Sequence, residues 1–338
     1  MTTIRLALVG LGRFAQAHAR IWSQLHDVEI VALCDSNPNA FAPFLQWFPE
    51  ARCYSDWKEM IDQEKPDALD VLTPEHLHAG PVLYALAAGV HVFVEKPLAA
   101  TPEEAAVLAD AALKRERVLM VGHVLRFDVR YAEAKARIAR GELGAIRSVY
   151  AKRNNGKAFF PIYNRISPVF ILGIHDIDMM HWLMEDDVVE VTAVRTGSGH
   201  ETEDLIWSML KFSRGGLGIL ENNWLLPSGA PSFMDVRTEI TGDDGSMTIR
   251  DPERGLEVIG GTSAEYPSFL SGYEIHGKQG GPLSDELAHF IACVKSGRPS
   301  DILRPHDAWK AVRVASAIRE SAVRGQTIRL EERQAVAE

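Results

Sequence analysis

The segment Val9-Gly10-Leu11-Gly12-Arg13-Phe14-Ala15 constrains the fold more than any other. It follows an apolar run, Ile4 to Val9, that reads as a buried strand. Phe14, Ala17, Ile21 and Leu25 then recur at helical spacing. In a strand–turn–helix unit, Gly10 permits the tight turn, Gly12 lets backbone approach a pyrophosphate, and the small Ala15 allows close helix–strand packing. Arg13 and Phe14 open the helix, whose free N–H groups and positive dipole end suit a phosphate. Asp35 lies 20 residues after Ala15, at the end of a second strand-like run, Val28 to Leu33. A carboxylate there accepts hydrogen bonds from a ribose diol and repels a 2′-phosphate. Ser36 and Asn37 follow, with no adjacent arginine, so NAD(H) is expected over NADP(H). The competing reading is a plain turn whose glycines serve geometry alone.

Further short apolar runs, Ala68 to Leu72, Val90 to Val94 and Val118 to Val121, alternate with helical patterns such as His78 to Ala88. Thr101-Pro102-Glu103-Glu104 carries a capping box with proline at the first helical position. Nearly continuous apolar strands alternating with helices imply an α/β fold with a parallel sheet covered on both faces. The chain has 338 residues, comfortable for two domains. We divide it into a dinucleotide-binding domain, 1–121, and a second domain, 122–338, whose late helices return toward the body of the protein.

Two segments would lie at the carboxyl edge of the first sheet. Thr73-Pro74-Glu75-His76-Leu77-His78 follows the fourth strand, near the nicotinamide side of a cleft; on spacing alone a helix cap with two exposed histidines is the preferred reading. Glu95-Lys96-Pro97 ends the fifth strand. A lysine in a desolvated cleft can hydrogen-bond a substrate oxygen and stabilise developing negative charge. The alternative is a surface salt-bridging pair before a turn proline.

Together these residues resemble the Gfo/Idh/MocA family, which includes glucose–fructose oxidoreductase and inositol dehydrogenase. Gly10-Leu11-Gly12, Thr73-Pro74 with His78, and Glu95-Lys96-Pro97 stand in the family's order and approximate spacing. Gly122-His123 through Arg126-Phe127 resembles the segment where the family leaves its nucleotide domain, and Ile174-His175-Asp176-Ile177-Asp178 resembles its catalytic helix. The resemblance implies an N-terminal Rossmann domain and a C-terminal α+β domain with a large, mostly antiparallel, open-faced sheet that commonly mediates dimers or tetramers. It also implies NAD-linked oxidation or reduction of a carbinol carbon in a sugar, cyclitol or related polyol. Among its cofactor residues it numbers Gly10, Gly12, Arg13, Phe14, Asp35, Thr73, Pro74, His78, Glu95 and Lys96.

After Val121 the pattern changes. Tyr131 to Ile138 reads as helix and Ile146 to Ala151 as strand, followed by a polar loop from Lys152 to Pro168 that contains Asn155 and Arg165. Its length suggests a functional loop, with a surface excursion as the alternative. Strands are expected at Val189 to Thr196, Leu205 to Phe212, Gly216 to Trp224 and Val236 to Gly242, joined at Ser213-Arg214-Gly215-Gly216 and Asp243-Asp244-Gly245. Helices are expected at Asp285 to Ser296 and His306 to Arg324, with a short edge strand at Ile328 to Leu330.

His175 and Asp178 are three residues apart and share a helix face with Met179 and Trp182. A core histidine satisfied by a neighbouring acid would look the same. A metal site is disfavoured, because no further ligand set has telling spacing. With the resemblance, His175 becomes the expected general base beside Lys96; Asp178, Arg165 and Asn155 become candidate substrate ligands. One departure stands out. Many family dehydrogenases carry an aspartate four residues before the catalytic histidine, where this chain has Ile171. Either Asp176 or Asp178 substitutes, or the substrate differs, or NAD binds without efficient turnover.

The expected function is NAD-dependent hydride transfer with a sugar, cyclitol or polyol. The alternatives are an NADP-dependent sugar reductase and a non-catalytic NAD(H)-responsive regulator on the same fold. A formal net charge of −10 argues against a general nucleic-acid surface. Cys34, Cys53 and Cys293, an odd number without metal-type spacing, read as reduced thiols of a cytoplasmic protein. No signal peptide is seen, and no apolar run approaches the roughly 20 residues needed to cross a bilayer. A homodimer or homotetramer through the C-terminal sheet is expected.

Overall fold

A computed structural model describes residues 3–197, 202–253, 255–260, 263–269 and 272–331. Contacts divide the chain into two compact units. The first runs to Phe127 and takes in a later stretch ending at Val312. The second begins at Asp128 and takes in the chain from Arg313 on.

The first unit alternates β1 (Ile4–Val9), α1 (Ala15–Trp22), β2 (Val28–Cys34), α2 (Ala42–Leu45), β3 (Arg52–Tyr54), α3 (Trp57–Glu64), β4 (Ala68–Val71), α4 (Ala79–Ala87), β5 (His91–Val94), α5 (Pro102–Arg115) and β6 (Leu119–Val121). The sheet is six-stranded in the order β3-β2-β1-β4-β5-β6. All its pairings are parallel. That is the doubly wound order, in which ligands bind where the winding reverses, here between β1 and β4. The strands are apolar and buried, and Leu6, Leu8, Leu33, Phe93 and Met120 form one core cluster with Trp22 of α1. A late helix of the same unit, residues Pro282–Ser296, adds Leu283, Leu287, Phe290 and Ile291 to that cluster. The predicted cap of α5 is present, with the Glu104 N–H donating to Thr101 Oγ1 at 3.2 Å.

The buried face of α1 differs from the expected one. Ala17 is exposed and Phe14 is 50% exposed, while Ala15, His18, Ala19, Ile21 and Trp22 are buried. Hydrophobic periodicity misplaced the face because its central residue is a histidine, buried through ionic partners rather than apolarity. The third strand, β3, had no range assigned from sequence, because three residues are too few to show a period.

In the second unit, α6 (Val129–Ala139) leads into β7 (Ile146–Gly156), the short α7 (Phe160–Tyr163) and α8 (Ile174–Met184). β8 (Val188–Thr196), β9 (Leu205–Phe212), β10 (Leu217–Leu226), β11 (Met234–Gly242) and β12 (Ser246–Asp251) follow. The sheet order is β12-β11-β7-β10-β9-β8, closed at one edge by residues Ile328–Arg329. Only β7 and β10 pair in parallel. Alternation along β9 buries Ile206, Ser208, Leu210 and Phe212 and exposes Trp207 and Met209. Register sets Val194 opposite Trp207 and Ile219 opposite Met209, with Leu217 on the same face opposite Lys211, so that face of the sheet presents an apolar patch.

The strand β7 continues to Gly156, past the Ala151 expected from sequence. Asn155 is therefore a strand residue, opposite Met234, and not part of a loop. The polar run Lys152–Asn155 conceals the strand because its residues pair inside the unit, Arg153 with Asp176 and Asn154 with Glu221. The rest of the expected loop, 157–168, holds α7, and a turn of π-helix at Val169–Gly173 follows it.

Candidate active site

Strand register assembles the first part of the site. Val9 stands opposite Cys34 and Val71, Val71 opposite Val94, and Val94 opposite Val121. The residues that follow, Gly10, Asp35, Leu72, Glu95 and Gly122, therefore line one carboxyl edge of the sheet.

Gly10 has φ of +89°, and a Cβ there would lie 2.7 Å from the Thr73 backbone nitrogen. Any side chain would both strain the turn and collide with the loop after β4. Gly12 is different: a Cβ built on it meets nothing within 4 Å. The protein itself does not require glycine at position 12, whereas a pyrophosphate laid along that backbone does. Arg13 is exposed beside it. The first turn of α1 has no side-chain cap and no acidic residue, which suits a phosphate on its N–H groups. Asp35 Oδ2 accepts the Leu11 N–H at 2.8 Å and Oδ1 accepts the Asn37 N–H at 2.8 Å. The carboxylate is thus oriented by main chain at both oxygens and, being only partly buried, can still accept a ribose diol. These residues fit a dinucleotide.

Beyond β4, Thr73 is half-buried and Pro74 is exposed. His78 is buried, not exposed as a plain cap would be. Its Nδ1 lies 3.0 Å from the Pro97 carbonyl oxygen and its Nε2 lies 2.8 Å from that of Thr73. It ties the loops after β4 and β5 together, and burial pushes its pKa down. Glu95 and Lys96 are half-buried in the loop after β5, and Glu95 Oε2 accepts the Lys96 N–H at 3.2 Å.

In the second unit, α8 carries His175, half-buried, and Asp178, 1% exposed. The two acids offered as substitutes for the missing aspartate separate here. Asp176 is bound by Arg153, with Nη2 to Oδ1 at 2.9 Å and Nε to Oδ2 at 3.1 Å, both groups buried. Burial pushes Asp176 up, against the pull of Arg153. Asp176 therefore anchors α8 to β7. Asp178 is the remaining candidate. Asn155 shares the sheet face of Arg153, two residues along the strand. Arg165 is exposed, its guanidinium 5.9 Å from the Tyr163 ring centroid.

Residues 4–123 match the model of an oxidoreductase family with an NAD-binding Rossmann fold, and residues 131–248 match the GFO/IDH/MocA C-terminal domain. The chain belongs to the Gfo/Idh/MocA family. Its similarity to D-glucoside 3-dehydrogenase of Escherichia coli K12 is 27% identity over 73% of this chain and 77% of the relative. Its similarity to scyllo-inositol 2-dehydrogenase (NAD(+)) of Bacillus subtilis 168 is 26% identity over 98% of both. The structure of myo-inositol 2-dehydrogenase from Lactobacillus plantarum superimposes with a TM-score of 0.86 at 23% identity, covering 98% of this chain and 100% of that one. At that identity the superposition speaks for the fold alone.

Within this Gfo/Idh/MocA chain, Ile171 is 9% exposed and clusters with Leu172 and Trp224. Phe159, Phe160, Tyr163 and Ile166 pack against that cluster. Tyr163 stacks on Trp224 at 5.5 Å between centroids. An apolar wall thus surrounds the position where many relatives place a carboxylate.

Sequence reasoning missed His18 and Asp70. His18 Nδ1 lies 2.9 Å from Asp70 Oδ2, which also accepts Trp22 Nε1–H at 2.7 Å; its Nε2 lies 3.4 Å from Glu95 Oε1. The available signals were a lone acid in the apolar strand Ala-Leu-Asp-Val and a histidine one turn into the helix after the glycine turn. Among the described residues, no helix is long and apolar enough to cross a membrane.

Proposed function

We propose that the protein is an NAD-dependent oxidoreductase that moves a hydride between nicotinamide and a secondary alcohol or ketone of a sugar, cyclitol or related polyol. One observation carries the reading: the glycine turn, Asp35 and the Glu95-Lys96-Pro97 loop stand at one carboxyl edge of a doubly wound sheet. Family membership and the activities named for its relatives support the same chemistry.

In this reading the N–H groups around Gly12, Arg13 and Phe14 hold the pyrophosphate, and Asp35 holds the ribose diol and disfavours a 2′-phosphate. The bound nicotinamide supplies the hydride acceptor. Lys96 donates a hydrogen bond to the reacting oxygen and orients it. His175 takes the hydroxyl proton as the carbinol C–H is lost, the general-base role for which an imidazole is the commonest side chain. Asp178 holds a neighbouring hydroxyl, and Asn155 and Arg165 read the rest of the substrate. His78 serves the cofactor side by tying the loops after β4 and β5. We place the dinucleotide chemistry in residues 1–121 and substrate recognition in 122–338. We further propose a cytoplasmic homodimer or homotetramer, joined through the apolar sheet face around Trp207 and Met209.

The test is a screen of cyclitols, sugars and sugar acids for NAD+ reduction, read at the absorbance of reduced nicotinamide, with the Lys96→Ala variant beside the wild type. Polyol-dependent reduction that the variant sharply loses, while still binding NADH, supports the assignment. Unchanged turnover in the variant overturns the role of Lys96. NADH binding without turnover of any polyol would favour a non-catalytic sensor, the reading to which the apolar surroundings of Ile171 lend weight.

A further inference from the structure

His18 is fully buried one turn inside the helix that begins at the glycine turn, and it lies between two carboxylates from different strands. Asp70 of β4 is fixed on one side by the His18 imidazole and the Trp22 indole N–H. Glu95, at the end of β5, sits on the other side, and its second oxygen accepts the backbone N–H of Lys96. The rings of Phe14 and Phe93 flank the imidazole edge-on, with centroids 5.2 and 5.6 Å away. A Cβ on residue 122 would come within 2.5 Å of Glu95 Oε1, the oxygen that His18 meets. Glycine at that position leaves the carboxylate the room it occupies.

Resting on the assignment of Lys96 to the reaction, we propose that His18, held by Asp70, is a positioning residue for Lys96. Its Nε2 makes a 3.4 Å ion-pair contact with the Glu95 carboxylate, and Glu95 in turn accepts the Lys96 main-chain N–H. A neutral imidazole can donate at one nitrogen only and would leave one of the two acids facing a lone pair. The doubly protonated ring faces both. Burial alone would push His18 down, but the charge and hydrogen bond of Asp70, with the contribution of Glu95, raise it to about 10. The ring is therefore cationic at neutral pH, and it bridges like charges that would otherwise repel. Because His18 belongs to α1, the helix proposed to receive the pyrophosphate also sets the strand end that carries the lysine.

The experiment uses the full chain and the variants His18→Gln, Glu95→Gln, Gly122→Ala, the His18→Gln/Glu95→Gln double and Lys96→Ala. NADH affinity is measured by fluorescence. kcat and KM are measured for NAD+ reduction, with myo-inositol as reference probe beside the polyol that wild type turns over fastest. His18→Gln and Gly122→Ala should each lower kcat about 100-fold, the scale of a misplaced catalytic group. NADH affinity and polyol KM should hold. The double variant should be no slower than its slower parent, because both changes break one chain of contacts. Gly122→Ala leaves His18 in place, so it keeps the test decisive if His18→Gln folds poorly.

A wild-type kcat with only a lowered melting temperature assigns His18 to packing and overturns the proposal. So do losses that multiply in the double variant. If Lys96→Ala loses turnover while His18→Gln and Gly122→Ala keep it, this inference fails and the catalytic assignment stands. If Lys96→Ala keeps turnover, the assignment itself fails.

Discussion

Asp35 Oδ2 accepts the backbone N–H of Leu11 at 2.8 Å, so the acid after β2 holds the glycine turn after β1. One carboxylate therefore shapes the glycine turn and, in the proposed site, also faces the ribose. Asp35→Ala should weaken NADH binding more than NADPH binding, because only the former loses a partner and the latter also loses a repulsion. A hydrogen bond to a charged group contributes about 1.5–3 kcal/mol, so the affinity ratio should move about tenfold or more. Fluorescence titration with both cofactors measures it; an unmoved ratio removes Asp35 from cofactor selection.

His175→Asn should lower kcat by about 10²–10⁴-fold, the usual contribution of a positioned general base. It should also abolish the acidic limb of the kcat/KM profile, since that limb reports protonation of the base. NADH affinity should stay at the wild-type level. A variant with the wild-type pH profile would return His175 to the role of a core histidine.

His18 also makes a statement about stability. Its folded pKa, about 10, lies above its ordinary 6.5. A group raised on folding contributes stability fully below its unfolded pKa and loses it as pH climbs through the folded value. Chemical denaturation from pH 6 to 10.5 should show wild type losing stability from about 6.5 upward, and His18→Gln should be flatter across that window. A constant difference between the two proteins over the whole range would mean the imidazole is not buried as a cation.

Ile171 sits in an apolar cluster with Leu172 and Trp224, packed by Phe159, Phe160, Tyr163 and Ile166. Restoring a carboxylate with Ile171→Asp should therefore destabilise rather than complete the site. A buried, unsatisfied polar group costs about 1–3 kcal/mol. That corresponds to about 2–4 °C of melting temperature per kcal/mol for units of this size. A calorimetric scan with no loss would mean that the carboxylate has found a partner.

The Rossmann half was legible because its signals are local. Strand runs, the glycine turn and the capped helix at Thr101 each occupy a few consecutive residues, as do the hairpins at Ser213 and Asp243 in the second unit, and local backbone preference governs them. Gly10, Asp35 and Lys96 could be placed at one edge before any coordinates, because parallel strands joined by crossover helices must end on the same side. The length of β7 was not legible, because polar residues mark a strand interior only when their partners, Asp176 and Glu221, are known.

Long-range pairing settled the rest. His18 lies 52 residues before Asp70 and further still before Glu95 along the chain, and no pattern of hydrophobicity links the three. Whether an acid in an apolar strand is tolerated depends on the cation brought against it. The same holds for Asp176, whose neighbour Arg153 removes it from the list of candidate substrate ligands. Backbone preferences and hydrophobic period are properties of short segments, so composition and order carry them. The burial of charge is a property of the partners a fold delivers, because an ionised group leaves water at tolerable cost only opposite its counter-charge.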